Sequence, residues 1–114
     1  MGLGRPQQVL HVGLGVGELP DLLLRLLGSY QADNAGVALA AVEGFLHVDG
    51  ARLTAEQVHR GLGAVRAPGR LERVADDPVV VIDASHNPAG IGATVRGLRE
   101  SLGVARLGVV LGVC

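Results

Sequence analysis

Asp83, His86 and Asn87 stand close together in the stretch VVVIDASHNPAGI, Val79 to Ile91. Four apolar residues lead into Asp83, and Asn87-Pro88 opens a new apolar pattern. In open α/β sheets, ligands lie beyond the carboxyl ends of strands. A helix N-terminus offers free N–H groups and the positive end of a dipole, which suits phosphate. At such a corner Asp83 could accept a bond from a ribose hydroxyl or orient a metal-bound water. His86 could donate to a phosphate or carboxylate oxygen, and Asn87 could cap the helix and steady both. The same residue types are also ordinary capping vocabulary. The corner alone therefore reads either as a site or as a strand-to-helix turn with a solvated histidine.

The elements that position these side chains follow from the pattern around them. The Val run of "VVVID" predicts a strand buried on both faces, as in parallel sheets. Asn87 is a fitting N-cap and Pro88 a fitting first helical residue. Ile91, Val95, Leu98 and Leu102 then recur at helical spacing, and Gly103 ends the helix. "RLGVVLGV" predicts another buried strand, so strand, helix and strand make a βαβ unit with a right-handed crossover and a parallel pair. Before them, "RLERVA" reads as a strand and Asp76-Asp77-Pro78 as a turn.

Towards the N-terminus, "QVLHVGLGVG" reads as an extended or hairpin segment broken by glycines. Gly13, Gly15 and Gly17 lack the G-x-G-x-x-G spacing of a dinucleotide loop, and Pro20 follows instead of a clean helix. They read as a glycine-rich turn. "LPDLLLRLLG" is an apolar stretch ending at Gly28. A helix is predicted from Asp33 to Leu46, with Val37, Ala41 and Phe45 as its stripe, Ala38 and Val42 beside them, and Asp33 or Asn34 as cap. Thr54 with Gln57 makes a capping box for a second helix, with Val58, Leu62 and Val65 as its stripe. It ends at "RAPGR", the expected domain boundary. His11, His47 and His59 show no ligand spacing, and Glu56 and Glu72 read as surface charges.

Composition narrows the function classes. The 114 residues suffice for one small domain or pieces of two. With one Phe, one Tyr and no Trp, the core must be Val, Leu, Ile and Ala. The 18 glycines predict tight turns and close backbone approaches. All ten basic residues are Arg. Without Lys, this chain holds no phosphate-loop, Schiff-base or modified catalytic lysine. A net charge of −1 with mixed signs gives no nucleic-acid footprint, and base-stacking aromatics are scarce. The single Cys114 permits no disulfide framework, which fits a reducing cytoplasm. No stretch is long and apolar enough to span a membrane. No signal core follows Met1. Two parallel strands and a helix do not close a core, so the chain is expected to be part of a longer protein.

Taken together, "GSYQADNAGVALAAVEGFL", "GLGAVRAPGRLERV" and "VVVIDASHNPAGIGATVRGLRESL" resemble folylpolyglutamate synthase and the bifunctional dihydrofolate synthase of the Mur ligase superfamily. The order of Gln-x-x-Asn-Ala, Pro-Gly-Arg and Asp-x-x-His-Asn-Pro carries the resemblance over roughly residues 22–114. It implies an α/β architecture: residues 1–67 as the end of a central ATP-binding domain, and residues 68–114 as the truncated start of a Rossmann-like C-terminal glutamate ligase domain. It implies a reaction in which ATP phosphorylates a folate or dihydropteroate carboxylate and the amine of L-glutamate displaces the phosphate. It assigns Asn34 to the adenine, Arg70 to the ATP phosphates, Asp83 to the ribose, and His86 to the reacting phosphate or the incoming glutamate. The family's phosphate loop, Mg2+ ligands, modified Lys and pterin pocket are expected upstream. The chain by itself is therefore expected to hold no metal site and to be inactive. The parent is expected to be a cytoplasmic monomer with no nucleic-acid or membrane partner. Two other readings stand beside this one: a Mur-type ligase acting on a UDP-linked cell-wall precursor, and a non-catalytic α/β nucleotide-binding or interaction module.

Overall fold

The computed structural model describes residues 8–14, 17–103 and 105–112. The chain opens with an antiparallel hairpin of β1, Gln8–Leu14, and β2, Gly17–Leu24. Leu14 pairs with Gly17, and Gly13 and Gly17, read as parts of a turn, are strand residues at the facing ends of β1 and β2. Gly15 lies outside the described residues. The register shifts between Leu10 and Val12, leaving His11 opposite both Pro20 and Asp21. Asp21 has φ +57°, a left-handed conformation that bulges accommodate, and a bulge is also where a strand tolerates proline.

Helix α1, Tyr30–His47, and helix α2, Ala55–Ala64, follow. Leu22, Leu39 and Val58 are buried together, one from β2, one from α1 and one from α2. Leu10, Val12, Leu19, Leu53 and Leu62 pack around them. Burying each such side chain contributes about 1.5–3 kcal/mol, which makes this cluster the main apolar support of the molecule. The α2 start is as predicted. Gln57 N donates to Thr54 Oγ1 at 3.2 Å, and Thr54 N donates to Gln57 Oε1 at 2.9 Å.

The face of α1 is not the predicted one. Gln31, Ala35 and Leu39 are buried, whereas Val37 is 71% and Phe45 76% exposed. The helix is apolar on two sides, and among the described residues the Ala35–Leu39 side is the buried one. Nor do Asp33 or Asn34 cap it. The helix begins at Tyr30 after Ser29, so both lie inside its first turns.

A second hairpin joins β3, Glu72–Asp76, to β4, Val79–Ile82, with Asp77 and the cis Pro78 between them. Helix α3, Pro88–Leu102, then starts as expected: the Asn87 side chain accepts from Gly90 N at 2.8 Å, and Pro88 takes the first position. Gly103, at φ +55°, ends it.

The predicted parallel βαβ unit is not found among the described residues. The partner of β4 is β3, antiparallel, and residues 105–112 form no strand. The burial expected of the Val run fails for the same reason. Among the described residues no second layer covers β4, so Val79, Val80 and Ile82 are exposed, and Val110 is fully so. Val113 and Cys114 lie outside the described residues. The predicted α3 stripe is likewise open at Ile91 and Val95. The inward face of α3 is instead its line of small residues, of which Gly97 is buried.

Candidate functional site

The last residue of β4 is followed directly by Asp83, at the strand's carboxyl end as expected. The carboxylate is surrounded by donors. Oδ2 accepts from Leu71 N at 2.9 Å. Oδ1 accepts from Ser85 N at 2.9 Å, from Thr94 Oγ1 at 2.8 Å and from Ser85 Oγ at short range. The bond two residues ahead, to Ser85 N, is the local turn an Asp readily makes. Burial alone would raise the Asp83 pKa. The Ser85, Leu71 and Thr94 donors together outweigh it and hold the carboxyl below its ordinary value.

Two hydrogen bonds dock the Pro68-Gly69-Arg70 turn onto this corner. Besides Leu71 N on Asp83, Ala84 N donates to Gly69 O at 2.8 Å. Within the turn, Arg70 N donates to Ala67 O at 3.1 Å, and Gly69 N to Glu72 Oε2 at 2.9 Å. Gly69, at φ +69°, supplies the left-handed step. Leu71 follows in the same region, at φ +43°, where a branched side chain is costly. It is held there by its amide bond to Asp83 and by a side chain only 2% exposed.

The turn also touches the first helix. Leu71, Gly28, Tyr30 and Gly97 meet so closely that a Cβ on Gly97 would lie 2.6 Å from Leu71 Cδ1 and 3.1 Å from Gly28 Cα. Gly28 N donates to Ser101 Oγ at 3.3 Å, and Gly28 O accepts from Gln8 Nε2 at 2.7 Å. Burial first, and then the nearby Asp83 charge, push the Tyr30 phenol up, against the pull of Arg70. Tyr30 therefore sits within electrostatic reach of both.

Of the four residues singled out by resemblance, the structure brings the turn of Arg70 against Asp83, through the Leu71 amide. The Asn34 side chain is exposed on α1 and donates to Gln31 Oε1 at 3.0 Å. His86 is exposed before α3, its Nδ1 3.3 Å from Ala84 O. Among the described residues, no hydrogen bond joins either to Arg70 or Asp83. The sequence reading missed Leu71, Ser85, Thr94 and Tyr30. Their weight comes from partners far along the chain, and only Ser85, two residues from Asp83, carried a local signal.

Arg70 lines a cleft of about 370 Å3 together with Arg25, Arg66 and Arg73. Arg73 Nε is 2.7 Å from Asp76 Oδ1 but not aligned as a hydrogen bond, so its N–H is left without a partner. Among the described residues, no carboxylate pairs with Arg25, Arg66 or Arg70. Asp83, His86 and Asn34 lie outside this cleft. The donor set fits a nucleotide in two respects. Unpaired guanidiniums suit phosphate. Asp83 Oδ2 carries one donor, which leaves it room for a hydroxyl.

No protein-family model matches the chain. The dihydrofolate synthase/folylpolyglutamate synthase of Mycobacterium tuberculosis is 45% identical over 108 residues, which is 93% of this chain and 22% of that protein. The structure of Mycobacterium tuberculosis folylpolyglutamate synthase complexed with ADP superposes with a TM-score of 0.76 at 46% identity, covering 84% of this chain and 21% of that one. A folylpolyglutamate synthase complex with AMPPCP and folate gives a TM-score of 0.76 at 32% identity, over 82% of this chain and 23% of that one. A UDP-N-acetylmuramoyl-L-alanyl-D-glutamate–2,6-diaminopimelate ligase of Corynebacterium glutamicum is 38% identical over 91 residues, 78% of this chain and 16% of that protein. The chain therefore belongs with the folylpolyglutamate and dihydrofolate synthases, relatives also of the Mur ligases, and spans about a fifth of their length.

Proposed function

We propose that this chain supplies part of the ATP site of an ADP-forming ligase that joins L-glutamate to a folate or dihydropteroate carboxylate. In this reading residues 1–67 end a central ATP-binding domain, and residues 68–114 begin a C-terminal glutamate ligase domain. The partition is supported by the apolar cluster of Leu22, Leu39 and Val58, which lies wholly before the boundary. The observation that carries the reading is the pair of bonds, 2.9 Å at Leu71 and 2.8 Å at Gly69, that fasten the Arg70 turn to the Asp83 corner. They hold the backbone that carries Arg70, a phosphate-type donor, against the corner that carries Asp83, a sugar-type acceptor.

When bound, ATP supplies the phosphoryl group that turns the carboxylate into an acyl phosphate for the glutamate amine to displace. Arg70 holds phosphate oxygens with its planar fork and offsets the charge that builds on them. Asp83 accepts a ribose hydroxyl on Oδ2. Asn34 offers its amide to the adenine edge. His86 stands by the reacting phosphate or the glutamate. In the tautomer with Nδ1–H towards Ala84 O, its Nε2 is an acceptor for the proton the amine loses. Mg2+ belongs to this reading as the counter-ion of ATP, with ligands outside the chain. Among the described residues, no three of His, Cys, Asp or Glu come together as a metal cluster. A cytoplasmic monomer is the proposed setting, and no helix among the described residues is long and apolar enough to cross a membrane.

Calorimetry with ADP tests the site on this chain. In a complete ligase carrying this chain, ADP binding that weakens at least about tenfold in Arg70→Ala supports it, and an Arg70→Ala ligase that binds ADP as the wild type does removes it. Phosphate release dependent on ATP and glutamate by the chain alone would overturn the expectation that it is inactive. The Corynebacterium relative keeps a Mur-type substrate in play. In a complete ligase carrying this chain, ADP release driven by dihydropteroate or folate, against a UDP-linked precursor, separates the two.

A further inference from the structure

The Asp83 carboxylate does more than end a strand. Its two oxygens face opposite ways along the site. Oδ1 is filled from the α3 side, by Ser85 and by Thr94 at 2.8 Å, while Oδ2 reaches back to the Leu71 amide at 2.9 Å. Ser85 Oγ and Thr94 Oγ1 are also 2.7 Å apart, so two hydroxyl protons serve three contacts. Such a group has little freedom to rotate. Leu71 is the residue next to Arg70, and its left-handed φ of +43° is a conformation the chain does not hold unaided.

We propose that Ser85 and Thr94 are positioning residues, which lock the Asp83 carboxylate so that its other oxygen fixes the Leu71 amide and, through it, the direction of Arg70. Thr94 sits nearly two turns into α3, so the lock also ties that helix to the turn. The geometry assigns neither hydroxyl to the ligand. Both are turned to Oδ1, and the oxygen left open for a further donor is Oδ2. The lock itself stands on these hydrogen bonds. Its effect on nucleotide rests on the reading proposed above.

The test is NMR on the 15N- and 13C-labelled 114-residue chain, titrated with acid, with ADP affinity as a separate readout. In the wild type, the Leu71 amide shift follows protonation of the Asp83 carboxyl. Thr94→Val keeps the shape and removes the donor. It moves that midpoint upward, speeds exchange of the Leu71 amide about tenfold and weakens ADP by a similar factor. Thr94→Ser restores the hydroxyl and all three readouts, which a packing role for the methyl would not do. The proposal is overturned by a Leu71 amide that ignores the Asp83 titration, or by Thr94→Val matching wild type in midpoint and exchange. If Thr94→Val does not fold, Ser85→Ala takes its place with the same expected directions. The titration and the exchange rates decide the lock by themselves, and the ADP readout, taken in a complete ligase carrying this chain, decides its link to the nucleotide: unchanged ADP affinity in Thr94→Val severs that link.

Discussion

The two halves of the molecule are held by different forces. Before the Pro-Gly-Arg turn, a hairpin and two helices close around Leu22, Leu39 and Val58, and the order comes from apolar burial. After it, β3, β4 and α3 leave Val79, Val80, Ile82 and Ile91 exposed. There the order comes from one carboxylate, a few amide bonds and the close approach of Gly97 to Gly28. The polar half is the one that carries Arg70 and Asp83. Apolar burial is non-directional, whereas hydrogen bonds fix angles. A site that must aim a guanidinium therefore draws on the second kind of support.

Removing an anchor from each half should separate these supports. Leu22→Ala, at a side chain with no exposed surface, is expected to cost about 3 kcal/mol or more in urea denaturation. A loss below about 1 kcal/mol would mean that the first half is not held by its core. Gly97→Val attacks the junction instead. Its Cβ would meet Gly28 Cα at 3.1 Å, and backbone gives way less readily than a side chain. About 2 kcal/mol is expected, with the Arg70 turn displaced from α3. Unchanged amide shifts at Gly28 and Leu71 in this variant would rule out the tight junction.

The same contrast explains what could be read from the sequence. The caps of α2 and α3 were readable because each is a bond between near neighbours, Thr54 with Gln57 and Asn87 with Gly90, whereas α1 has no side-chain cap bond to read. The β4 strand was readable from its Val run, but the same signal in "RLGVVLGV" misled, because residues 106–112 form no strand. The buried faces were not readable. On α1 both Ala35–Leu39 and Val37–Phe45 are plausible stripes, and only the β hairpin decides between them. On α3 the apolar stripe was the wrong guide, because the packed face is built on Gly97 and Ser101. The parallel pair was inferred from a Val run that found an antiparallel neighbour instead. Asp83 was readable as a candidate from its place at a strand end. Its hold on Leu71, twelve residues earlier, is a tertiary fact.

Acid should act on the second half first. The pKa of Asp83 is lower folded than unfolded, so its ionised form favours the folded state. That contribution is complete above the ordinary aspartate range. It fades as pH falls through about 4 and is gone below the lowered native value. What is at stake is the set of hydrogen bonds to a charged, partly solvated group, so the effect is modest. Leu71 and Ser85 amides should lose exchange protection in this window, while amides around Leu39 and Val58 keep theirs. Simultaneous loss in both regions would show a single cooperative unit and erase the distinction.

The smallest effects give the finest comparison, because the two halves contain equivalent caps. The Thr54 side chain accepts from Gln57 N at 3.2 Å, and that of Asn87 from Gly90 N at 2.8 Å. Replacing either by Ala should cost about 1 kcal/mol of local helix stability. Where the cost is felt should differ. Helix α2 places Val58 in the core, so its first turn cannot open without disturbing that cluster, and Thr54→Ala should lower the global denaturation midpoint. Helix α3 is open along Ile91 and Val95. Its first turn can fray alone, and Asn87→Ala should appear mainly as faster amide exchange from Ala89 to Ile91. Equal shifts of the global midpoint in both variants would mean that α3 is held as firmly as α2. In that case the Asp83 lock, with Thr94 one turn further on, must transmit the stability of the core into the helix that the apolar contacts leave bare.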